Sequence, residues 1–143
     1  MKPQSHKPSV LRDKTLELAI RIVNLNKHLV REKNELIISK QILRSGTNPG
    51  AMVREATNAE SGIDFIHKLS IAQKEAGETL YWLELLYKTQ YITQSEFESI
   101  SADTEAVLRM LSSSILTRKK SLAIKASSVL LAFIVSCLAF STF

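Results

Sequence analysis

The chain has 143 residues, 45% of them hydrophobic and 23% charged. That composition fits one globular domain with its own core and excludes a disordered chain. A single cysteine, Cys137, excludes an internal disulfide and a cysteine-based zinc site, and from the polar start with Pro3 and Pro8 no secretory signal is expected. The formal net charge of +5 is unevenly spread, with 11 Lys/Arg against 4 Asp/Glu in residues 1–54 and 4 against 10 in residues 55–117.

Residues 1–8 are expected to be disordered, and a first helix is predicted over residues 11–32. Leu11, Leu18, Ile22, Leu25 and Leu29 recur at helical spacing. A second stripe of Leu16, Ala19, Ile20, Val23 and Val30 makes the apolar face wider than one partner helix needs. Contact with two helices, or with another subunit, follows. Ser9 is the expected N-cap, with Asp13 in the first turn.

A second helix is predicted over residues 34–59, carrying Ile37, Ile38, Ile42 and Leu43, then Met52, Val53 and Ala56. Its middle reads Gly46-Thr47-Asn48-Pro49-Gly50. Proline has no N–H and clashes with the carbonyl four residues back, that of Ser45. A kink near Pro49 is expected rather than a break, because apolar spacing resumes at Met52.

Ser61 and Asp64 mark a third start, after which Phe65, Leu69, Ala72, Ala76, Leu80, Leu83 and Tyr87 step by fours and threes. Thr93-Gln94-Ser95-Glu96 is a capping box for a fourth helix with the seam Phe97, Ile100, Thr104, Val107, Leu111 and Ile115. Short connections force consecutive helices to run antiparallel. The expected fold is all-α, an antiparallel up-down-up-down four-helix bundle over residues 9–117, followed by a basic linker and apolar tail over residues 118–143.

Residues 126–143 carry no charge, and as a helix they would span about 27 Å, just short of a hydrocarbon core of about 30 Å. Three outcomes fit this stretch. It anchors the protein by membrane contact with the bundle on the cytoplasmic side, it packs as a fifth helix on the bundle or inside an oligomer, or it is an unselected extension. The bases Arg118, Lys119 and Lys120 before it favour a cytoplasmic orientation in the first case.

No catalytic constellation, cofactor motif or metal site is expected. His67 shares a helix face with Glu60 and Asp64, but di-iron bundles need Glu-x-x-His on two helices, all pointing inward. Gly46 and Gly50 lack the Lys-Ser/Thr of a phosphate-binding loop. Cys137 lies among apolar residues and is read as a small hydrophobe. Tyr81-Trp82 is read as core or interface. The functional lead is electrostatic. Lys33, Lys40 and Arg44 are read as one side of the second helix, and Lys27 and Arg31 stack on the first. Like charges at this spacing cost a few tenths of a kcal/mol per pair, so unpaired bases on one hairpin point to an anionic partner, RNA or DNA, bound by sequence-blind phosphate contacts. Neutralisation of these bases by the acidic helices beside them is the competing account.

The motifs Ile42-Leu43-Arg44-Ser45-Gly46-Thr47 with Val53-Arg54-Glu55-Ala56, and Asp64-Phe65-Ile66-His67-Lys68-Leu69 with Glu78-Thr79-Leu80-Tyr81-Trp82-Leu83, stand in this order. Together they resemble the bacterial four helix bundle protein family, which includes proteins encoded by intervening sequences of 23S ribosomal RNA genes. The resemblance covers about residues 10–117. It implies a second helix that passes through the glycine motif, a homopentamer, and no catalytic residues. A related basic pentamer works with a reverse transcriptase and nucleic acid. Asn48, Pro49 and Met52 depart from the family pattern, and the apolar tail is foreign to it. The expectation is a non-enzymatic, oligomeric module that binds RNA through Lys27, Arg31, Lys33, Lys40 and Arg44, the alternative being an interaction scaffold tethered to a membrane by its tail.

Overall fold

A computed structural model describes residues 9–140, with side chains described as far as Ile134. The expected disordered start (1–8) and the last three residues of the tail lie outside the described residues, as do the side chains of residues 135–140. Four helices make up the fold: α1 (Val10–Lys33), α2 (Ile38–Ala56), α3 (Gly62–Lys88) and α4 (Gln94–Phe140). The described chain is an all-α bundle.

Three helix starts follow local chemistry. The Ser9 hydroxyl accepts from the Arg12 N–H at 3.4 Å, and the Ser61 hydroxyl accepts from the Asp64 N–H at 3.0 Å. At α4 the Glu96 carboxylate accepts from the Thr93 N–H at 2.8 Å while the Thr93 hydroxyl accepts from the Glu96 N–H at 3.3 Å, a reciprocal capping box.

The start of α2 differs from the expectation. Asn34 takes a left-handed conformation with φ 53° and closes α1, a role asparagine tolerates better than most residues. The helix then begins at Ile38 rather than at 34. Glu35 supplies the missing cap, its carboxylate accepting from the N–H groups of Ile37, Ile38 and Ser39 at 2.9, 2.8 and 2.5 Å. Burial pushes this carboxyl up, but those three N–H groups outweigh it and hold it below the usual glutamate value.

α2 continues through Pro49 without a break. Its neighbours hold both flanks at that level. On one side a Cβ added to Gly46 would lie 2.6 Å from Ile22 Cγ1, so α1 and α2 approach to a distance only glycine permits. On the other side the Ser45 and Thr79 hydroxyls share a hydrogen bond at 3.1 Å.

Contacts between helices fall in opposing register. Asn26 donates to the Ser39 carbonyl at 2.9 Å, while Thr15 lies beside Gly50. Lys68 donates to Glu55 at 2.8 Å, nearer the start of α3 than Thr79, which meets Ser45. Tyr87 stacks on Phe97 with ring centroids 5.0 Å apart, and Gln73 donates to Ser112 at 2.7 Å. Across the closing seam, Arg21 donates to the Ser99 carbonyl at 3.0 Å and pairs with Asp103. For α1–α2, α2–α3 and α3–α4 one number rises as the other falls, so these neighbours run in opposite directions. Each helix packs against the next, and α4 closes back on α1 through the loosest of the four seams.

The core contains Leu18, Ile22, Leu29, Ile42, Leu69, Leu83, Leu86 and Leu111, all fully buried, each contributing about 1.5–3 kcal/mol by leaving water. Small hydroxyls are interleaved with them. Thr15, Thr79 and Thr104 are buried and donate to carbonyls of their own helices at 2.9–3.0 Å, which satisfies the polar atom where it stands.

α4 has 47 residues against 24 in α1, about 70 Å against about 36 Å. It runs uninterrupted through Arg118-Lys119-Lys120 and leaves the bundle. Leu122 is half-buried, its Cδ2 2.7 Å from where a Cβ on Gly62 would stand, and the described residues after it, 123–134, are exposed. No helix is long and apolar enough to cross a membrane among the described residues.

Candidate nucleic-acid interface

Opposing register gathers the end of α1, the start of α2, the end of α3 and the start of α4 at one end of the bundle, the end away from the projecting part of α4. Four of the five candidate bases lie there on outer helix faces. Lys27 and Arg31 occupy successive turns late in α1, and Lys40 and Arg44 occupy successive turns early in α2. All four are exposed. The hairpin turn brings the two pairs onto neighbouring helices.

Lys33 is placed differently from the expectation. It closes α1 instead of opening α2, so the seven-residue step to Lys40 is not a helical register. It lines a surface depression with His28, Tyr87, Tyr91 and Glu96 over the α3–α4 turn. The Glu96 carboxyl is held below the usual value, first by the Thr93 N–H and hydroxyl and further by the charges of His28 and Lys33.

Neutralisation across helices accounts for part of the charge asymmetry. Arg21 pairs with Asp103, and Arg44 lies 3.8 Å from Glu78. Lys27, Arg31, Lys33 and Lys40 make no ion pair among the described residues. Bases at the end of α1 suit the negative end of its dipole. Lys40 stands near the positive end of α2, where no acidic residue occupies the first turn, so its own helix does not account for it.

The apolar stripe of α1 shares this outer surface. Leu16, Ile20, Val23, Lys27 and Val30 step by four, three, four and three along one face. Leu16, Ile20 and Val30 remain 46%, 53% and 37% exposed. The width anticipated for the α1 apolar face is thus real, with half of it in the core and half uncovered in the single chain. A partner seated on the stripe would also cover Lys27.

Two features escaped sequence reasoning. Glu35 adds a carboxylate at the basic end but is consumed by the α2 cap, as described above. Trp82 donates its indole N–H to Glu78 at 3.0 Å and meets Tyr81 edge-on at 4.8 Å, which links the aromatic pair through Glu78 to Arg44. An acid four residues before a tryptophan on a helix was the available signal.

His67 is exposed, and Asp64 is engaged in accepting from the Glu60 N–H at 3.3 Å. Among the described residues no group of three or more His, Cys, Asp or Glu side chains is placed to hold a metal ion. The depression at the α1–α4 seam is lined by Arg21, Asn24, Leu25, His28, Glu96 and Ile100.

The class defined by these features is an all-α bundle with a charged end and an uncovered apolar helix face. The family model described as 23S rRNA-intervening sequence protein matches residues 9–113, and the chain belongs to that family. A solved structure, of a protein of unknown function from the S23 ribosomal protein family of Bacteroides thetaiotaomicron VPI-5482, is 57% identical with a TM-score of 0.74. That match covers 74% of this chain and 98% of the other. No curated protein matches the chain. The family match ends at residue 113, so the projecting part of α4 lies outside it.

Proposed function

We propose that this protein is a non-enzymatic, self-assembling helical bundle that associates with RNA through the basic end of its first hairpin. The observation that carries this reading is the exposure of Lys27, Arg31 and Lys40 on neighbouring helices without an ion pair among the described residues. Arg44 and Lys33 extend the positive field to either side. Phosphate contact by such bases releases counterions, so affinity for RNA should fall steeply between about 50 and 200 mM salt. Replacing Lys27, Arg31, Lys40 and Arg44 by alanine should flatten that slope. An affinity that barely changes with salt would remove the reading.

Assembly would use the part of the α1 stripe at Leu16 and Ile20, nearer the start of the helix than Lys27, and a homopentamer is the state that the family resemblance implies. Light scattering of wild type and of Ile20→Ser tests it. The change should dissociate the oligomer while leaving the helical signal intact, and a strictly monomeric wild type would leave the stripe without its proposed partner.

A second reading is favoured by one observation, the departure of α4 from the bundle with its apolar residues uncovered. In this reading the projecting end tethers the bundle to a membrane. Fractionation of the chain with and without residues 122–143 tests it, and identical distribution of the two forms rules it out.

A further inference from the structure

The projecting end of α4 is apolar in a way that a single partner helix does not explain. Val129, Leu130 and Leu131 are consecutive and 71%, 60% and 64% exposed. At 100° per residue their side chains fan over about 200° of the helix circumference. A helix that docks on a bundle or on one neighbour presents a stripe of about 100°. Phe133 and Ile134 continue the exposed run, and the uncharged stretch begins at Ala126. Such a helix needs a surround, which hydrocarbon supplies and one protein face does not.

The charge at its base is of one sign. Residues 106–143 contain no Asp or Glu, and Lys119, Lys120 and Lys125 stand exposed where α4 leaves the bundle. Arg118 is engaged inward, its guanidinium 5.7 Å from the Phe65 ring centroid. Three free lysines next to an apolar helix end complement the negative headgroups of an anionic leaflet.

Continuity of α4 then fixes how the bundle would sit. Leu122 packs beside Gly62 at the start of α3, so the projection is an extension of a bundle helix and leaves no flexible linker between them. With the projection in lipid, the α2–α3 turn would face the headgroups. The α1–α2 and α3–α4 turns stand at the far end, and Gln94 is 28 residues from Leu122 along α4, about 42 Å at 1.5 Å per residue.

We infer that the end of α4 enters an anionic bilayer end-on through Lys119, Lys120, Lys125 and the apolar run from Val129 to Ile134, and holds the bundle upright with its basic RNA-facing end directed away from the lipid. This rests on the tether reading and adds the lipid class and the orientation. It also makes the two charged regions compatible, because the bases of the first hairpin are kept clear of the headgroups and stay open to a phosphate backbone.

The test is sedimentation of the full chain with vesicles of phosphatidylcholine alone or mixed with phosphatidylglycerol, some carrying a dansyl headgroup. Trp82, the one tryptophan, lies toward the far end and serves as energy donor. Expected are binding to the anionic vesicles, a loss of about 100-fold on combining Lys119→Gln, Lys120→Gln and Lys125→Gln, and little transfer from Trp82 to the dansyl lipid. Absence of binding to either vesicle overturns the tether reading itself. Equal binding to both vesicles leaves the tether standing and overturns the anionic preference. Strong transfer from Trp82 overturns the upright orientation.

Discussion

Two lengths of the same helix carry similar side chains and meet different fates. Between Ile100 and Ile115, α4 buries Ile100, Thr104, Val107, Leu111 and Ile115, which recur every three or four residues against α3 and α1. Between Ile124 and Ile134 it carries at least as many large apolar residues and buries none of them. The difference is periodicity. Apolar residues confined to one stripe can be covered by neighbouring helices, whereas apolar residues all round need a surround. Burial in this protein follows the spacing of apolar side chains more than their number.

The sharpest way to break that comparison is truncation in each length. Leu111→Ala removes a fully buried side chain and should cost about 2–5 kcal/mol in urea unfolding followed by circular dichroism. Leu130→Ala should stay within about 0.5 kcal/mol, because it loses no packing. Equal losses would mean that the projection is packed as tightly as the core.

Next in size is the α1–α2 contact. Gly46→Ala places a Cβ against the fully buried, β-branched Ile22, which cannot swing away. A loss of about 1–3 kcal/mol is expected from the same unfolding curves. An unchanged midpoint would show that the two helices can separate without penalty.

The α2 cap follows. Glu35→Gln keeps the side-chain shape and removes the charge that holds three N–H groups, with an expected loss of about 1–2 kcal/mol at pH 7. The sign with pH is set by the lowered carboxyl. Its contribution is fully present above the ordinary glutamate value of about 4.3 and is lost as pH falls through the lower folded value. Wild type and variant should therefore converge in stability in strong acid and diverge toward neutral pH. A constant gap across that range would assign the effect to shape instead of charge.

The smallest effect expected is a gain. A Cβ on Gly77 would meet nothing within 4 Å, so Gly77→Ala in the middle of α3 should stabilise by about 0.5–1 kcal/mol through helix propensity alone. A loss at this position would reveal a partner seated on α3.

The helices and most caps were legible because their signals are local. Ser9, Ser61 and the Thr93/Glu96 pair lie within one turn of the N–H groups they serve, and the seam from Phe97 to Ile115 has a single period. The start of α2 was not legible. Isoleucine and leucine at 36–38 continue a helical pattern in sequence, yet Asn34 turns left-handed and Glu35 folds over the next three N–H groups. That competition between two local solutions is settled by where α2 must lie on α1. The candidate site shows the same division. The pairs Lys27/Arg31 and Lys40/Arg44 follow from helical spacing, but the seven-residue step from Lys33 to Lys40 crosses a turn, so Lys33 closes α1 instead of joining the face of α2. Arg44's approach to Glu78 depends on a helix far away in sequence.

The amino-acid order alone determined that this chain forms long amphipathic helices, where three of the four begin, and that its charge is divided between an early basic half and a later acidic one. These are consequences of side-chain period and of groups within four residues of each other. Tertiary structure decided which bases keep an acid beside them, which half of the α1 apolar face is covered, and that α4 leaves the bundle as one continuous rod. Each of those depends on which helices become neighbours, and that is settled by packing across the whole core.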